Sequence, residues 1–275
     1  ATVISRLTDL SGVVLDPFMG SATTLVDSQR LGRRSIGVDI NPISTTIARS
    51  KLITDDSSKV VYFIDRLIDR VYGGWDSLPA AEIPRSVQCE KWYAESTTEE
   101  LRRLWGVVVA EDSPYSDIVR AAFSSVLISV CKETRHWGYI CDNSTPKTDR
   151  VGDARAAFSR SLKAYRSAYL SRHGYGNGDI PLAEVIEGDA REAVSRIQDG
   201  VIDLVVTSPP YFGVADYAKS QRLSMEWFGR DIEPVRQSEI GARSKRHRKA
   251  ASLDFLKELR GVFVECHRVL KSGGY

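Results

Sequence analysis

Three short stretches carry residues whose types and spacing could do chemistry. The first is Asp16-Pro17-Phe18-Met19-Gly20-Ser21-Ala22-Thr23-Thr24. It follows the apolar run Gly12-Val13-Val14-Leu15 and opens a helix-compatible segment. Its backbone N–H groups are therefore expected at the crevice outside the carboxyl end of a strand. Pro17 fixes the chain direction after the strand, and Gly20 lets a ligand approach the backbone closely. The second stretch is Asp39-Ile40-Asn41, at the end of the next apolar run, Ser35-Ile36-Gly37-Val38. A carboxylate placed there can accept hydrogen bonds from both hydroxyls of a ribose. G-x-G-x-x-G is absent and the first loop holds one glycine, so the expected ligand contains adenosine without a pyrophosphate. Taken singly, each stretch is also an ordinary βα turn with a helix-capping Asp. The third is Thr207-Ser208-Pro209-Pro210-Tyr211, again after an apolar run. Consecutive prolines cannot donate to a ladder and stiffen the loop. That leaves the Ser208 hydroxyl and the Pro209 carbonyl to accept hydrogen bonds from a group in the crevice, and Tyr211 to face a planar one.

The elements that must position these residues follow from the hydrophobic pattern. Strands at 12–15 and 35–38 alternate with helices at 21–31 and 43–52, the pattern of parallel βαβ units with both sheet faces covered. From about 55 to 178 the spacing turns helical, with Val60, Val61, Ile64, Leu67, Ile68 and Val71 on one face. Ser96-Thr97-Thr98-Glu99 reads as a capping box opening another helix. Further helices are expected at 117–131 and 154–169, with a loop at 143–152. Strands resume at 183–186 and 202–206. A last helix at 252–270 is expected to bury Phe255, Leu259, Val262, Phe263, Cys266 and Leu270. The expected fold is α/β: a Rossmann-like, doubly wound, mostly parallel sheet with a helical insertion. Residues 1–54 form its first part, 55–180 the insertion and 181–275 the second part.

Composition excludes several function classes. The chain has 275 residues, 42% hydrophobic and 27% charged, which is ordinary globular usage rather than a low-complexity or disordered one. The formal net charge is only +2, so any nucleic-acid signal must be local. No apolar run approaches the ~20 residues of a membrane span. No basic segment followed by an apolar stretch opens the chain, so secretion is not expected. Cys89, Cys131, Cys141 and Cys266 are widely spaced, as are the four histidines, which fits reduced thiols in a cytoplasmic protein without a metal site.

Leu15-Asp16-Pro17-Phe18-Met19-Gly20-Ser21-Ala22-Thr23-Thr24, Gly37-Val38-Asp39-Ile40-Asn41-Pro42 and Thr207-Ser208-Pro209-Pro210-Tyr211 together resemble the amino-group DNA methyltransferases. These enzymes use S-adenosylmethionine to methylate N4 of cytosine or N6 of adenine. The resemblance covers residues 12–52 and 185–275. It implies that Asp16, Phe18, Gly20 and Ser21 surround the methionine part of the cofactor, with Pro17 and Thr23 in the same loop. It gives the ribose to Asp39, followed by Ile40 and Asn41. Gly188-Asp189-Ala190 resembles the next motif, whose Asp reads the adenine amino group. It makes Thr207, Ser208, Pro209, Pro210 and Tyr211 the methyl-transfer loop acting on a base flipped out of duplex DNA. Ser208 in the first position of that loop leans towards cytosine N4.

This chain departs from the family in three ways. Ala22 stands where the family usually has Gly. A helical insertion separates the second and third cofactor motifs. The sequence stops at Tyr275, where the family continues into further strands, so a further segment or a partner chain is expected to complete the sheet.

The run Arg243-Ser244-Lys245-Arg246-His247-Arg248-Lys249 holds five Lys or Arg and no acid. Alone it is as readily a solvated loop. Beside a methyltransferase site, Arg243, Lys245, Arg246, Arg248 and Lys249 are expected to contact DNA phosphates. Trp92, Trp105, Arg135, His136 and Trp137 are candidate target-recognition residues, although the aromatic ones fit a core better. Two other functions compete: an RNA base-amine methyltransferase, and a non-catalytic cofactor- or DNA-binding subunit of a larger assembly.

Overall fold

Val13-Val14-Leu15 and Ser35-Ile36-Gly37-Val38 do become neighbouring strands in the computed structural model, which describes residues 1–135, 140, 145–172, 182–247 and 249–275. In chain order the structure runs α1 (Thr2–Leu7), β1 (Val13–Asp16), α2 (Thr23–Arg30), β2 (Arg34–Asp39) and α3 (Pro42–Lys51). Next come α4 (Ser57–Gly73), α5 (Cys89–Trp92), α6 (Glu95–Ala110), α7 (Ser116–Val130) and α8 (Ala154–Leu170). Then follow β3 (Ala183–Glu187), α9 (Ala190–Ala193), β4 (Leu204–Val205), α10 (Tyr217–Ser220), α11 (Arg222–Trp227), α12 (Ile232–Ser238) and α13 (Ala251–Val269).

The chain divides into two compact units. One comprises Ala1–Thr54, Tyr175–Ala218 and Glu233–Tyr275, the other Asp55–Gly174 and Lys219–Ile232. The first is α/β. Its described strands form one all-parallel sheet in the order β3-β2-β1-β4. Leu15 lies beside Ile36 on one flank and Val205 on the other, and Val38 beside Ile186. Successive strand residues face opposite sides. Leu15 therefore packs with Val38, Val194, Val262, Cys266 and Val269, while Val14 packs with Ile4 and Leu204. A further cluster joins Met19, Ala22, Leu25, Ala48 and Leu52. Gly37 makes that packing possible, since a Cβ there would sit 2.6 Å from Met19 Sδ and 2.8 Å from Leu25. Both sheet faces are thus covered, as parallel strands require.

Beyond β4, Val205 N–H donates to Tyr275 O (2.8 Å) and Tyr275 N–H to Asp203 O (3.1 Å). β4 is shorter than the expected 202–206, because Ile202 bridges Leu270 instead. On α13, Val262 and Cys266 are buried as expected, Val269 is buried as well, and Phe263 is 41% exposed. The helical stripe is narrower than the sequence pattern implied.

The second unit is helical, with α4, α6, α7 and α8 packing together and α11 against α7. Residues 219–232 therefore differ from their expected place in the α/β part. The reason lies in α11: Trp227 stacks edge-on to Phe123 at 5.2 Å and to Trp105 at 5.7 Å. Ser224 Oγ also lies 2.7 Å from Ser124 Oγ. That cluster places Trp105 in the core reading the sequence favours, with its indole N–H donating to Glu82 O (3.2 Å). Trp92 is buried and Trp105 half-buried against the aromatic cluster, so both pack as core residues. Arg135 binds Glu133, while His136 and Trp137 lie outside the described residues.

The capping box also fails. α6 starts at Glu95 after Ala94 and has no side-chain cap. Thr97 Oγ1 instead donates to Gly152 O (2.7 Å) and accepts from Gly152 N–H (3.0 Å). Glu99 pairs with Arg102 and Arg103.

Candidate active site

The sheet order places β1 and β4 side by side, with the chain leaving them towards different parts of the unit. Ligands of open α/β sheets bind in the crevice beyond the strand ends at such a point. Here that crevice is a cavity of about 390 Å³. It is lined by Asp16, Pro17, Phe18, Gly20 and Thr23 after β1, by Asp39, Ile40 and Asn41 after β2, and by Gly188, Asp189 and Ala190 after β3. Ser208, Pro209, Pro210 and Tyr211, after β4, complete the same wall. Four loops far apart in sequence thus converge on one space. Ser21 and Thr207 do not line it. Ser21 is exposed and its carbonyl accepts from Lys51 Nζ (2.9 Å).

Thr207 has another task. Its hydroxyl donates to Asp16 Oδ1 at 2.7 Å, and Phe18 N–H donates to the same oxygen at 3.1 Å. Asp16, buried at the end of β1, therefore ties the loop after β4 to its own. Burial pushes its carboxyl above the usual range, against the pull of these bonds. Asp39 is built alike. Oδ2 accepts from Gly20 N–H (3.0 Å) and Oδ1 from Asn41 N–H (2.8 Å), so one carboxylate holds the turns after β1 and β2 in register. Burial pushes the Asp39 carboxyl up to about 6, opposed by those two N–H groups and reinforced by Asp16. Each oxygen keeps a second lone pair for a ligand hydroxyl.

Ala22, just inside the first loop, adopts φ 66° and is the described non-glycine residue with a left-handed backbone. A glycine would meet no penalty there, which is the physical sense of the Gly that the sequence pattern leads one to expect. Asp189 caps α9 through Arg191 N–H (2.9 Å). Its carboxylate also pairs with the Arg191 guanidinium, so a ligand amine there would share it with an arginine.

In the 207–211 loop, neither Ser208 Oγ nor the Pro209 carbonyl takes part in a hydrogen bond among the described residues. Ser208 is exposed and Tyr211 is 58% exposed. Two acceptors and an aromatic face are thus open to a ligand. Sequence reasoning missed Ser44, Tyr217, Val235, Ser238 and Glu239, which also line the cavity, as does Thr24 at the end of the first stretch. They fall in polar stretches where nothing in the spacing marks them.

The basic run is anchored beside this loop. Gly213 N–H donates to Gly241 O (2.9 Å) and Arg243 N–H to Ala215 O (3.0 Å). Arg243, Arg246 and Lys249 are exposed. Lys245 departs from the expectation: its ammonium donates to Gln237 O and Glu239 O, both at 2.7 Å, so it fastens the loop. Arg248 lies outside the described residues.

A family model described as DNA methylase matches residues 1–49, the segment that carries the Asp16 and Asp39 turns. Across the chain there are longer similarities. The Type II methyltransferase M.BsoBI of Geobacillus stearothermophilus is 24% identical over 254 residues, covering 82% of this chain and 48% of that protein. The likeness is to the amino-group DNA methyltransferases. The Type II methyltransferase M.MjaII of Methanocaldococcus jannaschii is 22% identical over 352 residues, covering 97% of this chain and 66% of that protein. The Type II methyltransferase M.SmaI of Serratia marcescens reaches 33% identity, over 91 residues, covering 33% of this chain and 23% of that protein. The chain thus spans about half to two thirds of the first two methyltransferases. No solved structure gives a significant match. No helix among the described residues is long and apolar enough to cross a membrane.

Proposed function

We propose that this chain carries the methyl-transfer machinery of a DNA methyltransferase. It would use S-adenosylmethionine and act on an exocyclic base amine, N4 of cytosine in preference to N6 of adenine. The observation that carries the reading is the shared cavity. The Asp16–Gly20 and Asp39–Asn41 turns face the same space as the unengaged acceptors of Ser208 and Pro209. The donor set fits the cofactor. Asp39 has lone pairs left for two ribose hydroxyls, Phe18 and Gly20 leave an uncharged rim, and the volume lies in the range of small-molecule sites, about 300–1,000 Å³. When bound, the cofactor supplies a methyl group on a sulfonium.

The rest is the work of this chain's residues. An exocyclic base amine is a poor nucleophile, because its lone pair is delocalised into the ring. Ser208 Oγ and the Pro209 carbonyl, accepting its two N–H bonds, favour a tetrahedral nitrogen with the lone pair free for in-line attack. The two prolines hold those acceptors without conformational search. The Thr207–Asp16 bond (2.7 Å) fixes the loop to β1. Tyr211 offers the surface on which a flipped base can stack. Arg243, Arg246 and Lys249 provide phosphate contacts. The preference for cytosine rests on Ser208 in the first loop position, by family resemblance. A pairing with a restriction enzyme fits the Type II relatives.

The test is methyl incorporation into unmethylated duplex DNA, tRNA and rRNA, with the product nucleoside identified by mass spectrometry. N4-methylcytosine from duplex DNA is expected. Transfer to RNA alone would overturn the DNA reading.

A further inference from the structure

Glu239 is a buried carboxylate on the wall of the same cavity. It follows α12, and its side chain reaches the segment that continues from the transfer loop. Oε1 accepts the Tyr217 backbone N–H, and Oε2 that of Ala218 at 3.4 Å. Three further bonds join the same two segments: Gly213 N–H to Gly241 O at 2.9 Å, Arg243 N–H to Ala215 O at 3.0 Å, and Ser244 N–H to Asp216 Oδ1 at 2.8 Å. Lys245 closes the turn from behind on the Glu239 carbonyl at 2.7 Å. At the corner Gly241 has φ 68°, and a Cβ there would come 2.7 Å from the Phe255 ring. The segment 213–218 is therefore strapped to a rigid turn. It carries Tyr217, which lines the cavity together with Tyr211.

We propose that Glu239 is a positioning residue for methyl transfer, fixing the 213–218 segment so that Tyr217 joins Tyr211 in walling the site that takes the target base. The proposal rests on the methyltransferase reading above. A buried carboxylate is an expensive way to hold a loop, and its place in a cavity wall points to function. Two N–H donors meet two oxygens, so only the ionised form satisfies both. Protonation turns one oxygen into a donor facing an N–H group. Burial pushes the Glu239 carboxyl up to about 7, helped by Asp216 and opposed by the Tyr217 and Ala218 N–H groups and the Lys245 ammonium. Arg191 also reaches this turn, donating to Ser238 O (3.1 Å), and Arg243 belongs to the strap itself.

The experiment is single-turnover methylation of unmethylated duplex DNA at saturating S-adenosylmethionine, over about pH 6 to pH 8.5, with cofactor affinity measured alongside. Glu239→Ala should lose at least about tenfold in rate while its cofactor affinity stays within about threefold. Glu239→Gln keeps one acceptor. It should run about two- to threefold below the unaltered chain at pH 8.5, match it near pH 6, and lack the acid limb that Glu239 gives. Unchanged rates in Glu239→Ala, or an acid limb that persists in Glu239→Gln, would overturn the proposal. So would loss of cofactor affinity in step with rate, as plain unfolding gives. No transfer by the unaltered chain is a distinct outcome that removes the DNA reading and this proposal with it.

Discussion

Asp39 shows at the scale of one residue how a site and a fold can pull against each other. Its carboxyl sits near 6 rather than 3.8 because burial disfavours the charge. The folded chain therefore holds that proton more tightly than the unfolded chain. The stability this group contributes is fully present below pH 3.8 and is lost as the pH rises through about 6. Ribose binding runs the other way, since two hydroxyls donate best to the ionised form. Cofactor affinity should rise between about pH 5 and pH 7 in the unaltered chain and stay flat in Asp39→Asn. The unfolding free energy of the unaltered chain, relative to Asp39→Asn, should fall as the pH rises from 3.8 to about 6 and level off above that. Calorimetric titration and denaturant unfolding at several pH values read the two trends, and a flat affinity profile in the unaltered chain would remove Asp39 from the cofactor site. The transfer loop separates by a different criterion. Ser208→Ala should slow turnover and Tyr211→Ala should also weaken capture of the base, by about 1–3 kcal/mol. Both should bind S-adenosylmethionine normally, and single-turnover rates at unaltered levels would reduce 207–211 to a plain turn.

At the scale of elements, the basic loop divides into residues facing outward and one facing inward. Arg243→Ala and Arg246→Ala should each reduce the log–log slope of DNA affinity against salt by about 0.9. Lys245→Ala should leave the slope alone and loosen the turn at Glu239, because its ammonium is spent on two carbonyls. Fluorescence titration of duplex DNA at several salt concentrations distinguishes the two classes. Equal slopes for all three variants would contradict the division. The loops ending in Asp16, Asp39 and Thr207 could be read from sequence because each terminates a short apolar run with a polar residue, a signal that local spacing preserves. Lys245 could not, since a lysine in a basic run looks solvated until the carbonyls of Gln237 and Glu239 are placed around it. The Ser96–Glu99 capping box misled in a similar way, since Glu99 pairs with Arg102 and Arg103 and the neighbouring Thr97 hydroxyl serves Gly152, far along the chain. Leu223, Met225 and Trp227 alternate along the chain, a spacing that names neither the helix they form nor the partners they meet, here Phe123 and Trp105. Glu239 had no pattern at all.

At the scale of the whole molecule, one site draws on loops that follow every described strand, so ligand binding should be felt as global stability. S-adenosylmethionine at about a hundredfold its Kd should add about 2.7 kcal/mol to unfolding. NAD should add little, because the first loop has one glycine where a pyrophosphate needs three. Thermal unfolding with each ligand checks this, and equal shifts would reopen the identity of the cofactor. The same architecture bears on how the molecule comes into being. β2 meets β3 through Ser35 and Ala183, and β1 meets β4 through Val14 and Leu204. Two adjacent strands must therefore wait, once made, for partners encoded far downstream. At ribosomal speeds of about 5–20 residues per second, that wait is on the order of ten seconds. Through it the outer edges of β1 and β2 stand unpaired, each a template for a strand from another nascent chain. Most of the helical unit is made inside that interval and can take shape before the sheet is closed. The order of folding would then run against the order of the chain, and the sheet that holds the chemistry would be the last part to be sealed.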